Sequence, residues 1–179
     1  EFATPQTGKY VLFIMESGHD AWLTCSDFQI YQLKDYAAID AETPYFLQVT
    51  NAAATGTQYV DIKTPITSTS ANTIGISTTT VETYFEWNTT ANAWNIKDDA
   101  GTYLAVSRWD ANPGQATAGN WQLFVNDDNT LSIFQGDYDG GSDNSRCFLG
   151  GDVTTDDTKS DLYTDNAKDK AINVTLIDA

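Results

Sequence analysis

Apolar side chains in this chain recur at alternate positions in short runs, and the i, i+3, i+4, i+7 spacing of an amphipathic helix is hard to find. The runs are rich in β-branched and aromatic residues and are bounded by Gly, Asn, Asp and Ser, which turn a backbone with least strain. The pattern predicts strands over Tyr10 to Met15, Ala21 to Cys25, Tyr45 to Val49, Tyr59 to Ile62, Thr73 to Ser77, Tyr84 to Asn88, Ala93 to Lys97, Tyr103 to Ser107, Trp121 to Val125, Thr130 to Gln135, Arg146 to Leu149 and Ile172 to Ile177. Phe28 to Ile39 also fits a weak helix and stays undecided. Turns are expected at Ser17-Gly18, Asp98-Asp99-Ala100-Gly101, Asn126-Asp127-Asp128-Asn129 and along Gly136 to Asn144. Short strands at regular spacing with tight turns make an all-β barrel or sandwich.

The 179 residues suit one compact domain spanning residues 1–179, able to bury a core without metals or many disulfides. Glu1-Phe2 reads as a translated restriction site and is left out of the fold reasoning. A net charge of -16 opposes binding to nucleic acid or to anionic membrane surfaces, and no apolar run reaches the length of a membrane span. Because 12% of the residues are aromatic, the acidity accompanies a packed core rather than disorder. Low Lys content, a Ser/Thr/Asn-rich surface and two glycosylation sequons, Asn88-Thr89-Thr90 and Asn173-Val174-Thr175, favour a mature secreted or extracellular protein. Cys25 and Cys147 then allow either one disulfide, closing a loop of 122 positions (147 minus 25), or two buried thiols. The lone His19 excludes an ordinary Cys/His zinc cluster.

An internal repeat narrows the architecture. Phe85-Glu86-Trp87 and Trp94-Asn95-Ile96 are echoed by Trp121-Gln122-Leu123 and Leu131-Ser132-Ile133 after 36 and 37 positions (121 minus 85, 131 minus 94), and Tyr103-Leu104 by Phe148-Leu149 after 45 (148 minus 103). A looser first copy runs through Tyr45-Phe46-Leu47, Val60-Asp61-Ile62 and Ile74-Gly75-Ile76, and the end strands Tyr10 to Met15 and Asn173 to Ile177 are placed to close a barrel. Over Tyr45 to Leu149 the arrangement resembles the β-trefoil superfamily, and the Trp-x-Ile and Trp-x-Leu strands resemble the ricin-B-type lectin repeat. The Gln-x-Trp signature of that repeat is absent: Asn92-Ala93-Trp94 and Gly119-Asn120-Trp121 stand in its place. The resemblance implies a β-trefoil-like barrel of three repeats, with a β-sandwich or jelly roll as the alternative.

Candidate chemistry is sparse. No Gly-x-Ser-x-Gly elbow accompanies His19, and the abundant carboxylates read as turn caps, so no catalytic residue is assigned and the chain is expected not to be an enzyme. Sugar recognition needs an aromatic face and planar polar groups in a shallow site. The stretch Arg108 to Pro113, read as a loop, offers Trp109, Asp110 and Asn112, with Tyr138 and Asn144 as a second ligand-binding pair. Trp87, Trp94 and Trp121 are read as core instead. Asp137, Asp139 and Asp143 surround two glycines in an oxygen-rich loop suited to calcium, although the EF-hand spacing is not met. The leading expectation is a non-catalytic carbohydrate-binding or lectin-like extracellular module whose partner is a glycan or glycoprotein. The alternatives are a surface adhesin module, or a trefoil-type proteinase inhibitor that meets a protease through Thr64-Pro65-Ile66-Thr67-Ser68 or Asn112-Pro113-Gly114-Gln115.

Overall fold

The computed structural model describes residues 39–67, 72–107, 110–138, 145–151, 153, 161–165 and 170–179. The expected strands Tyr10 to Met15 and Ala21 to Cys25 lie outside them, as does all but the last residue of the undecided Phe28 to Ile39 segment. The described residues are all-β: β1 Tyr45–Val49, β2 Gln58–Thr67, β3 Asn72–Ser77, β4 Thr83–Asn88, β5 Ala93–Asp98, β6 Tyr103–Ser107, β7 Asp110–Gln115, β8 Gln122–Val125, β9 Leu131–Tyr138, β10 Ser145–Gly150, β11 Asp161–Asp165 and β12 Asn173–Asp178. No α-helix occurs among them.

All strands join one antiparallel sheet whose hydrogen-bonded path runs β12-β9-β10-β11-β3-β2-β1-β4-β5-β6-β7. Off that path, β8 pairs β9, and β12 pairs β1 over the full length of β1, from Tyr45 opposite Asp178 to Val49 opposite Val174. Between β5 and β8 there is no ladder, only one residue pair: Trp94 and Trp121 exchange two backbone hydrogen bonds of 2.8 Å each.

Period-two patterning explains which face each strand buries. In β1 the side chains of Tyr45, Leu47 and Val49 are buried and those between them half-exposed. In β4, Thr83 and Phe85 point inward while Tyr84 and Glu86 point outward. The inward set forms one hydrophobic cluster that includes Val60, Ile74, Phe85, Trp121, Ile133 and Leu162. Inside it Phe85 meets Tyr45 and Trp94 edge to face, at ring-centre distances of 6.2 and 6.1 Å.

The tight turns close as their sequences require. After β5, Gly101 N–H donates to Asp98 O, and Gly101 takes a φ of 77°, where a Cβ would be strained. The Asn126 to Asn129 turn repeats the pattern, with Asn129 N–H donating to Asn126 O and Asn129 at φ 63°. Both proline segments read as protruding loops from sequence, but they lie mostly within strands. Pro65 is inside β2 and Pro113 inside β7, each on a hairpin whose register shifts nearby, between Asp61 and Ile66 or between Tyr103 and Ala105. A register shift leaves a backbone position without a ladder partner, which is where a residue lacking an N–H is tolerated.

Of the tryptophans read as core, Trp94 and Trp121 are buried, at 3% and 0% exposure, whereas Trp87 is 36% exposed. Trp87 lies near the hairpin end of β4, where its ring meets that of Trp94 at 5.1 Å in an edge arrangement.

Trp121 sits in a tight part of the sheet. Its indole N–H donates to Leu104 O at 3.0 Å, and Gly119 N–H donates to the same oxygen at 3.1 Å. A Cβ on Gly119 would lie 2.8 Å from Leu104 O and 3.0 Å from the Trp121 indole nitrogen, so the backbones approach too closely for any other residue. Trp121→Phe keeps most of the ring volume but loses the donor and part of the packing, and is expected to cost about 2–3 kcal/mol. Gly119→Ala is expected to cost about 1–3 kcal/mol through overpacking. Urea unfolding with an unchanged slope would measure both, and a loss below about 0.5 kcal/mol in either variant would contradict this assignment.

Candidate functional site

The candidate positions named from sequence fall mainly at or beyond the limits of the described residues. Trp109, Asp139, Asp143, Asn144 and Cys25 lie outside them. Asp110 opens β7 opposite Ser107, and the half-buried Asn112 stands opposite Ala105, so these two belong to a strand rather than to a loop. Asp137 and Tyr138 end β9, with Tyr138 opposite Ser145, and Cys147 stands in β10 opposite Gln135. The two groups of ligand candidates therefore belong to different hairpins, β6–β7 and β9–β10. Among the described residues no three His, Cys, Asp or Glu side chains gather where they could hold a metal ion.

The structure instead presents a shallow cleft of about 400 Å³ on the outer face of the β4–β5 hairpin. Its walls are Ala41 and Glu42 on one side and Tyr84, Glu86, Lys97, Asp98, Asp99 and Gly101 on the other. Strand register assembles it: Tyr84 is opposite Lys97 and Thr83 opposite Asp98, and Tyr84, Glu86 and Lys97 all point outward while Phe85 and Ile96 enter the core.

Most polar groups in the cleft are held in place. The Lys97 ammonium donates to Glu86 Oε1 and lies 6.0 Å from the centre of the Tyr84 ring. The Tyr103 hydroxyl, from β6, donates to Glu86 Oε2 at 3.2 Å, so both carboxylate oxygens are engaged. The Tyr84 hydroxyl donates to Glu82. Asp98 is buried and accepts from the backbone N–H groups of Ala100 and Thr102 and from the Thr102 hydroxyl, which makes it the brace of the turn rather than a ligand group. Asp99 pairs with Lys63 at the rim.

These contacts shift the charged groups in predictable directions. The hydrogen bond to Glu86 raises Lys97 above the usual lysine range against a smaller opposing effect of burial, and the hydrogen bond to Asp99 does the same for Lys63. Asp99 is lowered, first by the hydrogen bond from Lys63. Tyr84 is raised, first by its hydrogen bond to Glu82. The recess thus combines an aromatic ring, an oriented ammonium and planar carboxylates. No nucleophile and general-base pair lies within it.

Sequence reasoning passed over these residues because Tyr84, Glu86 and Lys97 look like the ordinary solvent face of a hairpin. The available signal was their alternation with core residues on two strands joined by a turn of only four residues, Thr89 to Asn92.

For Lys97, a folded-state pKa above the unfolded one gives stability that is complete below the lysine range and lost as pH rises through the folded value. The Asp99 contribution has the opposite sense: it is present above the ordinary aspartate range and lost as pH falls through the lowered value. The Lys97–Glu86 pair is partly exposed and screened, so Glu86→Gln should change stability at neutral pH by less than about 1 kcal/mol. It should also move the Lys97 titration midpoint down, as followed by NMR of the side chain. An unmoved midpoint would show that the pair does not form in solution. In comparison with known proteins, the chain matches no family model, no curated protein and no solved structure.

Proposed function

We propose that this protein is a non-catalytic glycan-binding module of the extracellular space, and that it binds through the β4–β5 cleft. One observation carries the reading: Tyr84 lies in a shallow recess beside hydrogen-bonding groups that are already oriented, with Lys97 and Tyr103 converging on Glu86. A pyranose places its C–H face on an aromatic ring and its hydroxyls on planar acceptors and donors, and pre-oriented groups lower the entropic cost of binding.

The fold proposed to carry the cleft is a β-trefoil. Support comes from a circuit of pairings, β1 with β4, β4 with β5, β8 with β9, β9 with β12 and β12 with β1, to which the Trp94 and Trp121 bridge adds the contact of β5 with β8. The remaining strands form the pairs β2–β3, β6–β7 and β10–β11, which lie between β1 and β4, between β5 and β8, and between β9 and β12 along the chain. The sequence echo between the second and third copies agrees in phase, equating β4 with β8, β5 with β9 and β6 with β10, whereas the looser first copy sets β1, β2 and β3 against β4, β5 and β6 and is out of phase.

A glycan array followed by titration of intrinsic fluorescence tests the function. Tyr84→Ala, which removes an outward ring, should weaken binding at least about tenfold while leaving the melting temperature within a few degrees. Trp109→Ala provides a second arm, and loss of binding there with Tyr84→Ala unaffected would move the site to the β6–β7 hairpin. A blank array at high protein concentration would end the glycan reading altogether.

A further inference from the structure

The two sequons of this chain occupy very different places in the fold. Asn88 is the last residue of β4, and Thr89 and Thr90 are exposed in the four-residue turn that follows. Its side-chain Oδ1 accepts from the backbone N–H groups of Thr90 and Ala91, both at 3.0 Å, forming an Asx turn. That turn needs only residues 88–91, so it can form before the sheet does. The carboxamide nitrogen is tied only by a long contact of 3.4 Å to Asn95 Oδ1.

Asn173 opens β12, the strand that pairs both β1 and β9, and stands opposite the fully buried Ser132. Its N–H donates to Asn51 Oδ1 at 2.8 Å, and its carbonyl accepts from Thr50 N–H and from the Thr50 hydroxyl. Its side-chain Oδ1 accepts from the Ser132 hydroxyl at 3.0 Å. These contacts place the Asn173 carboxamide within the β1–β12–β9 junction, against a buried residue, whereas Asn88 borders an exposed turn.

We propose that Asn88, and not Asn173, carries an N-linked glycan when this chain passes through a secretory pathway; the inference rests on the extracellular reading but not on the glycan-binding one. In the transfer, the Asn88 carboxamide nitrogen bonds to the anomeric carbon of a polyprenyl-diphosphate oligosaccharide. The anomeric C–O bond breaks, the lipid diphosphate leaves with the bonding pair, and the amide gives one proton to a base of the transferase. Transfer acts on the nascent chain, and the fold then decides which product survives: a glycan at Asn88 projects from a hairpin tip, whereas one at Asn173 opposes closure of β12.

The test is to secrete the full chain behind an exogenous leader from a eukaryotic host and map its glycopeptides, applying the same mapping to the endoplasmic reticulum fraction if the chain is retained. The expected result is a deglycosidase-sensitive glycan on Asn88 with Asn173 bare. Thr90→Ala, which removes the sequon but keeps the backbone of the Asx turn, should abolish the mass shift, and Asn173→Gln should leave it intact. A bare Asn88, or an occupied Asn173 in folded secreted protein, overturns the proposal. Because glycan occupancy is read without any ligand, a blank glycan array would not affect this result.

Discussion

The contact between Trp94 and Trp121 is what the rest of the sheet depends on. Neither β5 nor β8 forms a ladder with the other, so the two reciprocal backbone hydrogen bonds at this residue pair, each 2.8 Å, are what joins them directly. The Trp121 side chain then satisfies its one donor on Leu104 O of β6, while Asn95 of β5 donates its carboxamide to Gly119 O and Asn120 Oδ1 just before β8. Burying a tryptophan ring is least costly when its N–H finds an acceptor, and for Trp121 the acceptor is a backbone carbonyl that also receives Gly119 N–H. Aromatic packing extends from this point through Trp94 to Phe85 and Tyr45, linking β5, β4 and β1.

The candidate site is the outer side of the same hairpin. Because side chains alternate across a strand, every inward residue that fixes Phe85 and Ile96 in the core also fixes Tyr84, Glu86 and Lys97 outside it, and no separate scaffold is needed for the cleft. Charge adds a second constraint. With a net charge of -16 the surface repels itself, and the pairs Lys97 with Glu86 and Lys63 with Asp99 place two of only nine cations beside this hairpin. Each pair contributes little energy on its own, but each holds a carboxylate in a defined direction. The buried Asp98, with both of its oxygens engaged, turns the chain sharply enough to bring Tyr103 onto Glu86.

Local patterning along the chain prescribes the all-β class, most of the strands and the composition of their turns, because alternation and turn chemistry act over only a few residues. It also determined that Trp94 and Trp121 are core, since both repeat a Trp-x-apolar strand pattern. It misassigned Trp87, because alternation says which face a residue takes but not where a hairpin ends and its neighbours run out. It also read Pro65 and Pro113 as loop residues, because a register shift that tolerates proline is a property of two strands, not of one. It takes the assembled sheet to bring Glu42, Tyr84, Glu86 and Lys97 into one recess, and to make Asn88 a hairpin tip while Asn173 is held between two strands. Those facts depend on contacts between distant segments, such as Thr50 and Asn173 at 123 positions apart, and no pattern confined to neighbouring residues encodes them.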